Sequence, residues 1–278
     1  MGWLMATSGS YDVNTANRDR DAELARLAAQ ARLGWEKEVA TLERFGFRDG
    51  MSILELGSGP GFVTGLLLDR FPAAHVTAVD IDPTLIDDAR RHLANRLDRV
   101  TFVHGSVEAM ALSPNQFDAA YARLLFQHLP DPALAAAETF RVLRTRAPFV
   151  VYDIDDEIWG LTDPAVPGLR TLFQRHAQAQ AASGGNRNVG RRLLRLLREA
   201  GFDGVEMGVV ASNTEEEGLE AFLPMFDLGR LVPLLQEGVV TQEEVDELEA
   251  QRAAFLAADR PFILMLTLMA MGCKPERR

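Results

Sequence analysis

The chain has 278 residues, of which 47% are hydrophobic and 25% are charged, and its mean hydropathy is close to zero. This composition is typical of a globular protein and excludes intrinsic disorder. No stretch approaches the roughly 18 consecutive apolar residues of a membrane-spanning helix, so we expect no membrane partner. The net charge of −11 argues against a general nucleic-acid-binding protein.

The start of the sequence lacks the basic and apolar pattern of a signal peptide, so we expect a cytoplasmic protein. The single cysteine, Cys273, allows neither an internal disulfide nor a cysteine-based zinc site. Residues 1–17 are polar and are predicted to form a flexible arm. Residues 18–46 carry apolar side chains at helical spacing, which predicts one or two amphipathic helices that end at Gly46.

Short apolar runs alternate with helical patterns throughout residues 47–156. The apolar runs are 52–56, 75–79, 100–103, 117–121 and 149–154, and the helical patterns are 61–70, 84–97 and 132–143. Two of these helices begin with an Asp-Pro pair, at 82–83 and 131–132, which places proline at the first helical position. Strands that alternate with helices over short connections predict an α/β fold. We expect a doubly wound, mostly parallel Rossmann-like sheet with helices on both faces.

Residues 157–278 are predicted to complete this sheet and to cover it. Two further strands are expected near 204–210 and 261–271, the last of them antiparallel. The segments 157–188 and 213–260 have helical patterns and are interpreted as insertions that cover the substrate.

The most informative stretch is a predicted strand that runs into a turn at 57–61 with glycine at alternate positions. Glycine is needed there because the backbone must turn tightly and approach a ligand closely. Phe62 stands where a dinucleotide-binding motif has its last glycine, so a pyrophosphate site is less favoured. Asp80 ends the next strand, where a carboxylate is placed to accept the ribose hydroxyls of a nucleoside. A plain tight turn with a helix cap is the alternative, which this combination disfavours.

Several further motifs follow in order along the chain. They are Glu-Leu-Gly-Ser-Gly-Pro-Gly at 55–61, Val-Asp-Ile-Asp-Pro at 79–83, His-Gly-Ser-Val-Glu at 104–108, Phe-Asp at 117–118, Gln-His-Leu-Pro-Asp-Pro at 127–132 and Glu-Thr-Phe-Arg-Val-Leu at 138–143. In this order and spacing the sequence resembles the class I S-adenosylmethionine-dependent methyltransferases over roughly residues 50–155. The resemblance implies S-adenosylmethionine as the cofactor and methyl transfer as the reaction.

The resemblance also implies roles for individual residues. Gly57 and Gly59 would line the methionine part of the cofactor, Asp80 would hold the ribose hydroxyls, and Ile81 would pack on the adenine.

Ser106 and Val107 would lie at the adenine edge. The family usually has aspartate where Ser106 stands, so a hydroxyl replaces a carboxylate as the partner of the exocyclic amine. A second departure, at 145–148, replaces a glycine-rich turn that lies away from the cofactor.

Methyl transfer from a sulfonium is an in-line displacement, and a hydroxyl acceptor benefits from a general base. His128 follows the fourth strand, at the sheet edge where ligands bind, and is the candidate base, with a packed histidine as the alternative. Arg123 ends that strand and is assigned to the cofactor carboxylate. An acidic substrate or a neighbouring acid is its alternative partner.

Two charged clusters have both a functional and a plain interpretation. The acids Asp153, Asp155, Asp156 and Glu157 could bind a divalent cation, but a solvated loop is favoured, so no metal is predicted. The arginine-rich helix at 190–200 could face nucleic acid, but its leucines favour a solvated amphipathic helix.

Substrate recognition is expected outside the central fold. Tyr11 in the arm, Trp159, Phe222 and Phe226 are the candidate residues and would suit an apolar or aromatic acceptor. The arm is also a candidate lid over the bound cofactor.

The sequence thus predicts a methyltransferase that acts on a small molecule, with the hydroxyl of a secondary metabolite favoured. The alternatives are non-methylating chemistry with the same fold and cofactor, such as cyclisation, decarboxylation or hydroxylation, and methylation of RNA or protein. A non-enzymatic binding protein is disfavoured by the intact motifs. Residues 201–250 hold 13 of the 40 acidic residues and one basic residue. This patch is interpreted as a solubility feature, with a role over the active site or at a homodimer contact as the alternatives.

Overall fold

The computed structural model describes residues 20–226 and 228–276, without the side chains of Met225 and Arg230. The helices are α1 (Arg20–Arg32), α2 (Trp35–Arg44), α3 (Phe62–Arg70), α4 (Pro83–His92), α5 (Pro132–Val142), α6 (Pro167–Ala182), α7 (Leu193–Glu199), α8 (Thr214–Glu217), α9 (Leu231–Gln236) and α10 (Gln242–Leu256). The strands are β1 (Ser52–Leu56), β2 (His75–Asp80), β3 (Val100–His104), β4 (Ala119–Arg123), β5 (Pro148–Asp153), β6 (Gly160–Asp163), β7 (Asp203–Asn213) and β8 (Phe262–Cys273).

These strands form one sheet in the order β3-β2-β1-β4-β5-β8-β6, with β7 also paired to β8. Strands β1 to β5 are parallel, and β8 is antiparallel to β5, β6 and β7. Because β5 pairs with residues 268–273 of β8 and β6 pairs with residues 262–265, β5 and β6 lie end to end along one edge of β8. The predicted doubly wound, mostly parallel sheet with an antiparallel final strand is confirmed.

The Asp-Pro helix starts are also confirmed. The Asp82 side chain accepts the N–H of Thr84 at the start of α4, and the Asp131 side chain accepts the N–H groups of Ala133 and Leu134 at the start of α5. Both aspartates therefore satisfy backbone donors that the first turn of a helix leaves unpaired.

The structure differs from the sequence prediction at two strands. The prediction missed β6, because its short alternation of exposed and half-buried residues lies in a segment expected to be helical. The fourth strand begins two residues later than predicted, since Phe117 makes only an isolated bridge to Leu143 before β4 begins.

The two faces of the sheet bury separate apolar layers. Leu54 and Leu56 of β1 face the layer that includes α5 and α7, whereas Ile53 faces the layer that includes α2 and α3. This alternation is the two-residue period expected of a strand covered on both sides. The arginine-rich α7 buries three of its leucines in the first layer, which confirms it as an amphipathic helix.

A third apolar cluster lies outside the sheet. It joins residues of α6, α9 and α10 with Phe222, Phe226 and Ile263. We call α6 together with residues 214–256 the cap. In the part of the chain that the structure describes, no helix combines the length and apolar character needed to span a bilayer.

Candidate cofactor and acceptor cavity

The glycine-rich turn between β1 and α3 has the backbone geometry that its sequence predicts. Gly57, Gly59 and Gly61 have φ angles of 68°, 53° and 78°, in the left-handed region that side chains disfavour. A Cβ on Gly57 would lie 2.7 Å from the Leu125 side chain, and one on Gly61 would lie 2.9 Å from the Ala89 side chain. No atom lies within 4 Å of the corresponding position on Gly59. The turn therefore packs tightly against the protein at Gly57 and Gly61 and leaves space for a ligand at Gly59.

Asp80 fixes this turn against the end of β2. Its carboxylate accepts the N–H of Gly59 at 2.7 Å and the N–H of Asp82 at 2.9 Å. Burial raises the pKa of Asp80 above its usual value, and the two backbone donors oppose that effect. A carboxylate has about four lone-pair positions. Both oxygens of Asp80 can therefore still accept hydrogen bonds from hydroxyl groups of a ligand.

One cavity of about 510 Å³ runs along this edge of the sheet. The residues assigned to the cofactor from the sequence all line it, namely Gly57, Gly59, Asp80, Ile81, Ser106, Val107 and Arg123. The candidate base His128 lines the same cavity. The structure thus brings together residues from the ends of four strands.

The expected adenine end has an apolar and a polar side. Ile81 is 43% exposed although it is a large apolar residue at the cavity, and Val107 is a buried apolar residue of the same lining. The Ser106 hydroxyl accepts the N–H of Glu108 at 3.2 Å. That hydroxyl keeps its proton and a second lone pair for a ligand.

Two buried polar atoms of cavity-lining residues have no hydrogen-bond partner among the described residues. They are the Ser58 hydroxyl, in the glycine-rich turn, and the Oε1 atom of Gln127, in the turn after β4. Buried polar groups are nearly always paired in folded proteins, so unpaired ones at a cavity indicate a polar ligand. Together with the open turn at Gly59, they fit a nucleoside with a polar tail such as S-adenosylmethionine.

Arg123 pairs with a neighbouring acid, which was one of its alternative partners in the sequence analysis. Its Nε donates to both carboxylate oxygens of the buried Glu38, at 3.0 and 2.9 Å, and its Nη2 donates to the carbonyl of Gln30 at 3.0 Å. Its guanidinium carbon lies 4.8 Å from the centre of the Tyr152 ring, and the Tyr121 hydroxyl donates to Glu38.

Burial disfavours the charge of Arg123, but the Glu38 carboxylate outweighs that effect and raises the pKa of Arg123. A cofactor carboxylate bound at Arg123 would therefore share the guanidinium group of this arginine with the carboxylate of Glu38. Since Glu38 lies in α2 and Gln30 in α1, these contacts of Arg123 hold both helices at the cavity.

The turn that carries His128 is fixed by a buried acid. Asp153, at the end of β5, accepts the N–H of Gln127 at 3.1 Å and that of Ile154 at 2.8 Å. Burial raises the pKa of Asp153 to about 7, although the backbone donors oppose the shift. Asp153 thus positions the turn and does not itself line the cavity.

The cap and the neighbouring Trp159 supply the far wall of the cavity. Trp159 and Phe226, two of the candidate substrate residues, line it, and the centre of the Trp159 ring lies 4.6 Å from that of Phe173 and 6.3 Å from that of Phe226. The prediction for Phe222 needs correction, because its side chain is fully buried in the cap core and is not part of the cavity wall. Tyr11 and the arm lie outside the described residues.

The sequence also missed several residues of the cavity wall. Arg26, Leu27 and Ala31 reach it from α1, Ser212 and Thr267 from β7 and β8, and His176 from α6. The helical spacing of Leu27 and Ala31 was visible in the sequence, but nothing there showed which surface that face would cover.

The acids after β5 do not form a metal site among the residues that the structure describes. Asp155 forms an ion pair with Arg191, and Asp156 forms one with Arg187. These pairs connect the end of β5 to the segment before α7, which is a structural role.

Comparison with known proteins adds independent information. Residues 53–146 match the family model described as a methyltransferase domain. An uncharacterized 37.1 kDa protein in transposon TN4556 of Streptomyces fradiae is 32% identical over 162 residues, or 58% of this chain and 46% of that protein. A malonyl-[acyl-carrier protein] O-methyltransferase of Priestia megaterium is 35% identical over 81 residues, or 29% of this chain and 28% of that enzyme. The chain thus spans less than half the length of these two relatives.

A solved structure shares the fold. Phosphoethanolamine N-methyltransferase 2 of Haemonchus contortus, in complex with phosphomonomethylethanolamine and S-adenosylhomocysteine, superimposes with a TM-score of 0.56 and is 19% identical. The superposition covers 87% of this chain and 54% of that enzyme. Residues 53–146 therefore match a methyltransferase domain, and the chain shares the fold of a solved methyltransferase that holds S-adenosylhomocysteine.

Proposed function

We propose that the protein transfers a methyl group from S-adenosylmethionine to a small, largely apolar molecule, with an oxygen of a secondary metabolite as the acceptor atom. The observation that carries this proposal is that the wall of one cavity includes both the glycine-rich turn with Asp80 and the aromatic side chains of Trp159, Phe173 and Phe226. A cofactor and an acceptor can meet in such a cavity without solvent between them.

The cofactor side supports binding of a nucleoside with an amino-acid tail. Asp80 would accept the ribose hydroxyls, Ile81 would cover one face of the adenine, and the open turn at Gly59 would receive the methionine part. The bound cofactor supplies a methyl group on a positively charged sulfur that leaves as a neutral thioether. The protein's own contribution is to fix the positions of the two reactants, which is the largest demand of an in-line displacement.

The acceptor side supports a small molecule rather than a polymer. Its wall consists mainly of aromatic and aliphatic side chains, among them Trp159, Phe173, Phe226 and Leu234. A volume of about 510 Å³ lies in the range of small-molecule sites, roughly 300–1,000 Å³. The name of the Priestia megaterium relative, an O-methyltransferase, supports oxygen as the atom that is methylated.

Cofactor binding provides the first test. We expect isothermal titration calorimetry to show that Asp80→Ala binds S-adenosylmethionine about 5- to 150-fold more weakly than the wild type, the effect of 1–3 kcal/mol for buried polar groups left unpaired. Asp87→Asn is the matched control, because Asp87 is an exposed residue of α4 that pairs with Arg90. Equal affinities for the wild type and Asp80→Ala would contradict the proposed site.

Methyl transfer provides the second test. Formation of S-adenosylhomocysteine is measured with panels of small phenols and carboxylic acids, and with RNA and peptide substrates of matched concentration. We expect turnover with members of the small-molecule panels. Turnover with RNA or peptides alone would refute a small-molecule acceptor.

A further inference from the structure

The cap contacts the turn after β4 through one buried side chain, Gln180 of α6. The Nε2 atom of Gln180 donates to the backbone carbonyl of Gln127 at 2.8 Å. A carbonyl oxygen can only accept a hydrogen bond, so the atom that faces it must be the amide nitrogen. The Oε1 atom of Gln180 lies 3.5 Å from Nη1 of Arg187, a group that can only donate. Both contacts fix the orientation of the Gln180 amide.

The same Nε2 atom lies 3.3 Å from Nδ1 of His128. Because an amide NH₂ group only donates, Nδ1 of His128 must accept, and it therefore carries no proton. In a neutral imidazole one nitrogen is protonated and the other is not. The neutral ring of His128 thus has its proton on Nε2.

This tautomer conflicts with a general base. A base must present an unprotonated nitrogen to the acceptor, but the lone pair of Nδ1 is used by Gln180 and Nε2 already holds a proton. What His128 can offer at Nε2 is an N–H donor, and an N–H donor attracts an oxygen that carries negative charge.

We propose that Gln180 holds His128 as the Nε2–H tautomer, and that His128 donates a hydrogen bond to an acceptor oxygen that is already ionised near neutral pH, as in a carboxylate or an acidic phenol. The acceptor part of this proposal rests on the proposed methyltransferase function. His128 binds and orients the oxygen, and Gln180 is a positioning residue that acts through His128.

The reaction with such an acceptor balances without a base. A lone pair of the acceptor oxygen forms the new O–C bond, and the S–C bond breaks with its electron pair remaining on sulfur. The negative charge of the oxygen and the positive charge of the sulfur are both neutralised in this step, and no proton is transferred. A hydrogen-bond donor at His128 is therefore sufficient, and the reaction needs no proton acceptor at this position.

The tautomer is read directly by long-range ¹H–¹⁵N correlation spectra of the histidine rings at about pH 8, where an ordinary histidine is neutral. The chain has only five histidines, so the signals of His128 are assigned by their loss in His128→Gln. We expect the shift of an unprotonated nitrogen at Nδ1 and of a protonated nitrogen at Nε2. A protonated Nδ1 in the wild type overturns the proposal.

Variants of Gln180 test whether this residue sets the tautomer. In Gln180→Glu a carboxylate faces Nδ1, and because a carboxylate only accepts, we expect the proton to move from Nε2 to Nδ1. Gln178→Glu is the matched control, since Gln178 is an exposed residue of the same helix. The control should keep the wild-type spectrum. An unchanged spectrum in Gln180→Glu, with native stability, would show that Gln180 does not set the tautomer.

Probe molecules test the acceptor class in the same spectra. With S-adenosylhomocysteine bound, we expect benzoate to shift the Nε2 resonance of His128 and benzyl alcohol, its uncharged analogue, to leave it unchanged. An equal response to both probes, or none to benzoate, overturns the assignment of an ionised acceptor. The affinity for S-adenosylhomocysteine is measured separately by calorimetry, so a failure of the proposed function is distinguished from a failure of the tautomer inference.

Discussion

The two sides of the cavity are built by different means. On the cofactor side, the wall is shaped mainly by the backbone. Gly57 and Gly59 turn the chain, and the Asp80 carboxylate holds this turn in place by accepting backbone N–H groups. On the cap side, the wall is made of apolar side chains such as Trp159 and Phe226, which pack on one another and on the core beneath them.

This difference explains why one side has a sequence motif and the other does not. A left-handed turn that approaches a ligand accepts almost only glycine, and a strand end that must accept hydroxyl groups requires an acid or a close equivalent. An apolar wall accepts many residues of suitable size. We therefore expect variants on the cap side to change stability and leave cofactor affinity intact, and variants of the turn to do the reverse.

The largest effect is expected in the cap core. Phe222→Ala removes a fully buried aromatic ring and should lower the free energy of unfolding by about 3–5 kcal/mol, because it leaves a cavity as well as losing apolar burial. Denaturant titration measures this, and Leu161→Ala, at an exposed position of β6, is the control. At temperatures where the variant is folded, its affinity for S-adenosylmethionine should equal that of the wild type. A large loss of affinity in folded Phe222→Ala would mean that the two sides are not separate.

A smaller effect is expected in the glycine-rich turn. Gly57→Ala introduces a Cβ at a φ of 68° and 2.7 Å from the Leu125 side chain, so the turn must change shape. The altered turn must regain its native shape to bind the cofactor. A left-handed backbone at a residue with a side chain costs about 1–2 kcal/mol, and if this cost is met on binding it lowers the cofactor affinity roughly 5- to 30-fold.

Gly50→Ala is the matched control for this variant. Gly50 has a φ of 79°, and no atom lies within 4 Å of a Cβ placed there. It should therefore suffer similar backbone strain without a change in calorimetric affinity. Equal affinities for Gly57→Ala and the wild type would remove the turn from the cofactor site.

A further effect, of similar size, concerns the pH dependence of stability. Burial raises the pKa of Glu55 to about 8, partly opposed by the hydrogen bond that the Thr64 hydroxyl donates at 2.6 Å. The folded state then binds more protons than the unfolded state above the ordinary pKa of 4.5, so stability falls as the pH rises from about 5 to 8. In Glu55→Gln, which cannot ionise, we expect this decline to be smaller by about 1–3 kcal/mol.

Thermal or denaturant unfolding at several pH values checks this expectation. Asp80 and Asp153, whose pKa values are also raised by burial, remain in the variant and contribute a decline of the same sign to both proteins. Parallel stability curves for the wild type and Glu55→Gln would show that Glu55 is not protonated in the folded protein near neutral pH.

The order of the central elements could be predicted from the sequence because local patterns determine them. Proline after aspartate begins α4 and α5, and short apolar runs mark the buried parallel strands. The residues assigned to the cofactor line one cavity because the carboxyl ends of parallel strands meet at one edge of a sheet.

What the sequence did not show depends on contacts between distant residues. Glu38 and Arg123 are 85 positions apart and pair only because α2 packs across the sheet. Phe222 and Phe226 have similar apolar surroundings in the sequence, yet one lies in the cap core and the other on the cavity wall. The short β6 is a strand only because the long β8 extends past the end of β5 and offers it an edge.

The pairing of β6 with β8 connects the start of the cap to the sheet. Strand β6 leads into α6, so this helix begins a few residues after a strand that is held by backbone hydrogen bonds to the same sheet that carries the cofactor site. Farther along the cap, residues 223–226 pack against α1. The four paired residues of β6 thus fix where α6 begins relative to the residues that line the cofactor side of the cavity.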